Sequence, residues 1–384
     1  MKLKKAVFVA FCIQIFWVYW SRNYWTKMLH LDKKLIETAS MTSLNIPNEP
    51  ILSPTTSMGS LKPTQRHLRI ACIGTEHSIL FDSYYMRCTQ LIFFAKLYMK
   101  DIYIKPLTYE KALKVKNSFD GAIFIKTTPD LKMWPKLWKT FKKIYVDVID
   151  GPLDNMIDFD HLKLQSPPPV LIVQNVYQEK LYNDTFKTVI IEHMPASLNS
   201  SDWVDVETLR HPLQALSAMS HDGHSSTSGL CKEIQTSSVI LKCVDTMNKK
   251  KVLKNELNVS YDKYKSKTWG VPWLFTQLFR KYDVLVVYTK KGMKTTINSV
   301  QRMTNSIHSG VITVIERTGL HALYVSKSYP CSFTNHAELE KVLEELDKNV
   351  FMRKLCQQQA KVINNLFDPK TIMRKYEDML RSDL

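Results

Sequence analysis

The sequence has no pair of cysteines at CxxC spacing and no GxxxxGK[ST] run. The first absence removes the usual ligand spacing of a structural zinc site. The second removes a Walker phosphate loop. Seven cysteines in 384 residues are too few for a disulfide-dense scaffold, although Cys72, Cys88, Cys231, Cys243, Cys331 and Cys356 could pair in an oxidising compartment. Acidic residues are in short supply, with Asp+Glu 36 against Lys+Arg 53 and a net charge of +17. A surplus of that size fits a lysine-rich surface, or attraction to anionic ligands such as nucleotide phosphates or acidic glycans. Long apolar runs are missing too, with one exception at the N-terminus.

That exception is Ala6 to Trp20, which carries no charge and follows Lys2, Lys4 and Lys5. As a helix it covers about 22 Å of a hydrocarbon core about 30 Å thick. Ser21 to Trp25 can extend it, and Trp17, Tyr19, Trp20, Tyr24 and Trp25 suit an aromatic interface belt. The bulky run Phe16 to Trp20 opposes signal cleavage, which needs small residues just before the cut. The leading lysines outnumber Arg22 and Lys27 near the span, which keeps the N-terminus cytosolic and places the body in the lumen. The expected layout is a cytosolic tail at 1–5, a transmembrane signal anchor at 6–25 and a stalk at 26–66. The stalk contains IPNEPILSPTTSMGSLKPTQ, which has no apolar period to bury. Asn-x-Ser/Thr triplets at Asn183, Asn199 and Asn258 agree with a lumenal body. A short span suits the thinner membranes of the Golgi or endoplasmic reticulum. Nucleic acid is not a partner in that compartment.

From His67 onward, apolar runs alternate with helical stretches. LRIACI, DIYIKPL, FDGAIFIK, KIYVDVI, VLIVQ and TVIIE read as strands between Leu68 and Glu192. SVILKCV, YDVLVVY and VITVI continue the series up to Ile315. Strands this apolar, separated by helices, predict parallel sheets covered on both faces. The polar interval from Ala196 to Thr236 reads as a crossing loop between two domains, 67–196 and 197–368, with 369–384 a final helix returning to the first. Asn335 and Glu338 form a capping-box pattern before Leu339, Val342, Leu343 and Leu346.

Ligands of open α/β sheets bind beyond the carboxyl ends of strands, at helix N-termini. After Tyr288 comes TKKGMKTTINSVQRMTNSIHSG. Gly292 allows close backbone approach, Lys294 supplies charge beside Lys290 and Lys291, and Thr295 and Thr296 can cap the helix and donate to a phosphate. Ile297, Val300 and Ile307 mark that helix's core face, while Asn298, Arg302, Asn305 and Ser309 form a polar stripe. Beyond the first strand, Gly74-Thr75 leads to Glu76 and His77, either of which could take a proton as general base. Asp147, Asp150, Glu192 and His193 stand at other strand ends.

The run Tyr282 to Ile315 resembles the donor-binding segment of GT-B glycosyltransferases: Asp283 opening an apolar strand, a helix with Arg302 and Asn305, then Ser309-Gly310 and a Val-rich strand. It departs from the family in having Ile312-Thr313 where proline is common, and no flanking pair of glutamates. The resemblance implies two Rossmann-like domains facing a cleft, with a nucleotide-sugar donor held by the second and a glycan, protein or lipid acceptor by the first. It implies no cofactor beyond the nucleotide sugar as co-substrate, and no metal. Asp158-Phe159-Asp160 is the competing feature, since an Asp-x-Asp triplet can hold a divalent cation on a donor diphosphate. Two other readings share the anchor and the basic surface. One is a lumenal sulfotransferase, which would need basic and hydroxyl residues directly after the first strand. The other is a non-catalytic glycan-binding scaffold, which would bind no nucleotide sugar.

Overall fold

A computed structural model of the chain describes residues 67–74, 85–115, 118–149, 157–195, 202–219, 231, 234, 239–245, 249–258, 276–288, 300–317 and 319–383. The expected anchor and stalk lie outside these residues. No helix among the described residues is long and apolar enough to cross a membrane.

The first sheet contains β1 (Leu68–Gly74), β2 (Ile102–Thr108), β3 (Gly121–Ile125), β4 (Lys143–Asp147), β5 (Val170–Val173) and β6 (Thr188–Ile190). All pair in parallel, in the order β2-β1-β3-β4-β5-β6. Both faces are covered, which is why the strands read as continuous apolar runs. Ile70, Cys72, Ile123 and Ile125 point to one side, towards Leu91 and Phe94 of α1 (Gln90–Tyr98). Ala71, Ile73, Ala122 and Phe124 point to the other. There they meet Ala112 of α2 (Tyr109–Ala112), Trp134 and Leu137 of α3 (Trp134–Thr140), Leu162 of α4 (Phe159–Lys163) and Tyr182 of α5 (Val176–Tyr182).

The second sheet contains β7 (Leu213–Met219), β8 (Val239–Asp245), β9 (Val284–Val287), β10 (Ile312–Glu316) and β11 (Ser332–Phe333). It is again parallel, in the order β8-β7-β9-β10-β11. β7 corrects the expectation of a loop through Ala196–Thr236, because it is an interior strand, paired with β8 on one side and β9 on the other. Its sequence LQALSAM is small and partly polar, and Ser217 is fully buried within it. Such a strand shows neither an apolar run nor clean alternation.

Further helices are α6 (Lys249–Leu257), α7 (Gln301–His308), α8 (His336–Lys348), α9 (Val350–Leu366) and α10 (Pro369–Asp383). At the start of α8 the Asn335 Oδ1 accepts from Glu338 N at 3.0 Å. The Glu338 carboxylate takes the return bonds from Thr334 N and Oγ1, at 2.7 and 2.8 Å. α10 packs into the core of the first sheet, where Ile372, Met373, Tyr376 and Leu380 join Leu91 and Phe94.

Gly310 makes the turn from α7 into β10 with φ 77°. A Cβ there would lie 2.6 Å from Asp202 O and 3.1 Å from Trp203 Cα. Gly310 O also accepts from Val204 N at 3.0 Å, so the 202–204 segment is pressed onto the turn. Gly310→Ala should cost about 2 kcal/mol or more in urea unfolding, through the left-handed backbone and the backbone clash. An unchanged midpoint would show that the Asp202 segment yields freely.

Candidate functional site

Each sheet has a switch point where successive connections run in opposite directions. One lies between β1 and β3, the other between β7 and β9. Ligands of such sheets bind at these points, beyond the carboxyl ends. β1 ends at Gly74 and β9 at Val287. The sequence therefore places both groups of expected site residues beyond a switch-point strand. Glu76 and His77 follow the first strand, and Gly292, Lys294, Thr295 and Thr296 follow the second. All six lie outside the described residues.

Arg302 and Asn305 are described. Three residues apart on α7, they share its partly exposed face, while Met303 and Ile307 are fully buried and Val300 nearly so. Ser309 corrects the expected polar stripe: it is fully buried and its Oγ donates to Ser306 O at 2.6 Å. It is the residue that ends α7, its N donating to Asn305 O and Ser306 O where the chain turns at Gly310 into the sheet.

His321, not anticipated from the sequence, joins Arg302. It sits in a short 3-10 turn, Gly319–Leu323, just beyond β10. Its ring is 8% exposed and Nδ1 lies 3.1 Å from Glu316 O. A carbonyl can only accept, so Nδ1 carries the proton and the neutral ring keeps Nε2 as an acceptor. Burial lowers the imidazole pKa to about 4, the Glu316 carbonyl bond opposes that fall, and the Arg302 charge adds to it. Burial also lowers the pKa of Arg302 from its usual value. A guanidinium partly stripped of water beside a neutral imidazole gains most from an anionic ligand. The available signal for His321 was its position shortly after an apolar strand, which many histidines share.

The other candidate carboxylates among the described residues serve structure. Asp147 is fully buried and ion-paired with Arg87, Nε to Oδ2 3.0 Å. Asp150 lies outside the described residues. Glu192 bonds Lys375 Nζ at 2.6 Å. His193 is 1% exposed, and burial and then Arg87 hold its pKa well below the ordinary value. Asp158 caps α4, its Oδ1 accepting from His161 N at 3.0 Å, and the Asp160 side chain is 91% exposed. The Asp-x-Asp triplet is thus a helix start. Asp283 accepts from Gln214 N at 2.8 Å and pairs with Arg210 at 3.1 Å. It stands before β9, at the opposite edge from Arg302, and ties β9 to β7.

No protein-family model and no curated protein matches the sequence. Among solved structures the chain is similar to HepE of Anabaena in complex with UDP-glucose, with TM-score 0.54 and 11% identity over 82% of this chain and 100% of that one. It is also similar to sucrose-phosphate synthase from Thermosynechococcus elongatus, with TM-score 0.51 and 11% identity over 82% and 99% of the two chains. At such identity the likeness establishes the fold, GT-B, as the Tyr282–Ile315 run led us to expect.

The folded pKa of His321 lies below its unfolded value of about 6.5. The unfolded chain therefore takes up the proton first, and stability falls as pH drops from about 6.5 towards 4. Between pH 7 and 5 this histidine should cost about 2 kcal/mol that His321→Gln does not lose, read by urea unfolding at both pH values. Parallel losses in the two proteins would show an imidazole that titrates freely.

Proposed function

We propose that the chain is a glycosyltransferase that moves a sugar from a UDP-sugar donor to a glycan, protein or lipid acceptor. The single observation that carries this reading is Arg302, partly desolvated beside neutral His321 at the carboxyl edge of the second sheet, in a fold shared with a protein solved with UDP-glucose. In this reading residues 197–368 hold the donor. Arg302 neutralises the leaving diphosphate together with Lys294, Thr295, Thr296 and the backbone at Gly292, without a metal, and Asn305 reaches the nucleoside. Residues 67–196 hold the acceptor. Its hydroxyl attacks the anomeric carbon, the bond to the diphosphate breaks, and Glu76 or His77 receives the proton.

The compartment is part of the proposal: a type II protein of the Golgi or endoplasmic reticulum, anchored by Ala6–Trp20. Disulfides Cys72–Cys88, Cys231–Cys243 and Cys331–Cys356 support it, since they pair every cysteine outside that apolar run. Such bridges persist in oxidising compartments and are rare in the cytosol.

A thermal-shift panel of nucleotide sugars should show stabilisation by UDP and UDP-sugars. Arg302→Ala should weaken UDP at least tenfold, about 1.4 kcal/mol, with an unchanged unfolding midpoint of the free protein. Turnover should survive EDTA. A protein that binds no nucleotide sugar would sink the reading, and activity abolished by EDTA would remove its metal-free step.

A further inference from the structure

Of the Asn-x-Ser/Thr triplets at Asn183, Asn199 and Asn258, the second lies outside the described residues. The other two share a placement. Asn183 directly follows α5, and Asn258 directly follows α6. Each backbone closes its helix: Asn183 N donates to Glu179 O at 2.8 Å, and Asn258 N to Lys254 O at 3.1 Å. Asn258 does so with φ 54°, a left-handed conformation that asparagine adopts at helix ends. Asn183, Asp184 and Thr185 are all exposed, and so is Asn258. Among the described residues, no hydrogen bond takes up the side-chain amide of either asparagine.

The fold decides which edge of a sheet each helix end occupies. In a parallel sheet the helix after a strand runs back, so it ends at the amino edge, where the next strand begins. α5 follows β5 and ends shortly before β6 opens at Thr188. There Lys187 O accepts from Leu171 N, at the start of β5, at 2.9 Å. α6 follows β8, and its last turn meets the residues that lead into β9. Glu256 Oε2 accepts from the Tyr282 hydroxyl at 3.0 Å, and Glu256 O from Lys281 Nζ at 2.5 Å. Both asparagines thus stand at the amino edge of their own sheet. The expected donor and acceptor residues follow the carboxyl edges, a strand's length away at about 3.3 Å per residue.

We propose that Asn183 and Asn258 each carry an N-linked glycan. The proposal rests on the lumenal placement put forward above, because the co-reactant, an oligosaccharide on a lipid diphosphate, is used on that side of the membrane. The asparagine Nδ2 attacks the anomeric carbon of the oligosaccharide. A C–N bond forms as the C–O bond to the diphosphate breaks, the lipid diphosphate leaves with the electron pair, and one amide proton is released. An N-linked glycan is bulky and solubilising, so the folded chain accommodates it only where the asparagine is exposed and no ligand has to pass. The ends of α5 and α6 meet both conditions.

The test translates the full chain, tagged at its C-terminus, in the presence of microsomes. The tagged body should resist added protease. Thr185→Ala and Ser260→Ala should each remove one glycan step on a gel, since each breaks a triplet while leaving its asparagine in place. Asn183→Gln should repeat the loss seen in Thr185→Ala, which separates a glycan on the amide from one on the threonine hydroxyl. Peptide N-glycosidase in heavy-oxygen water should leave labelled aspartate at positions 183 and 258, read by mass spectrometry. Endoglycosidase H should strip both glycans from the native protein, as exposed attachment points require. A protected body with no label at either position would overturn the proposal and leave the compartment standing. Label at one position alone would overturn it for the other. A tag lost to protease would remove the lumenal placement and the proposal together.

Discussion

The Arg87 guanidinium joins parts of the chain that are far apart in sequence. It is 1% exposed and pairs with Asp147 at the end of β4 at 3.0 Å. It donates to Ile191 O at 2.8 Å, to Glu192 O at 3.1 Å and to the Tyr376 hydroxyl of α10 at 3.3 Å. Burial alone would lower its pKa, but the surrounding charges, Asp147 foremost, more than reverse this and raise it. Losing either member of such a pair leaves an uncompensated buried charge, a defect of about 3–5 kcal/mol. The segment leaving β6 is held further by Gln90, whose Nε2 donates to Pro195 O at 2.7 Å, and by Lys375 on Glu192. The start of α1, the ends of β4 and β6 and the C-terminal helix thus share one polar centre.

The amino and carboxyl edges of the second sheet divide the work. At the amino edge, ionic groups are spent on holding strands. Asp283 ties Arg210 and Gln214, while Asp347 accepts from Leu213 N at 3.0 Å and pairs with His211 at 2.8 Å. At the carboxyl edge, burial lowers the pKa of both Arg302 and His321. In a parallel α/β sheet the helix N-termini gather at the carboxyl edge, so charge placed there faces a field suited to anions.

Much of the architecture was legible in the sequence. Strands buried on both faces announce themselves as apolar runs, and nine such runs became strands. The Asn335 cap and the apolar face of α8 were readable because helix signals are local. β7 was not readable, since its burial comes from neighbours on both sides rather than from its own hydrophobicity. The candidate site was legible only in part. Arg302 and Asn305 stand together as helical spacing predicts, yet Ser309 turns inward and His321 arrives from a different element.

The sequence by itself determined the class of structure, a parallel α/β body, together with the basic surplus and the apolar N-terminal run. These follow from periodicity, composition and capping, which depend on residues near one another in the chain. Only the tertiary structure decided which partners and which surroundings each charge has. Asp147 and Asp158 looked like a candidate acid and a candidate metal ligand, and Asp283 like the opening of a donor-binding segment, and each is taken up by an ion pair, a helix cap or a strand tie. His321 looked ordinary, and it is buried neutral beside Arg302. Burial and long-range partners set a side chain's charge and freedom, and the fold alone supplies them.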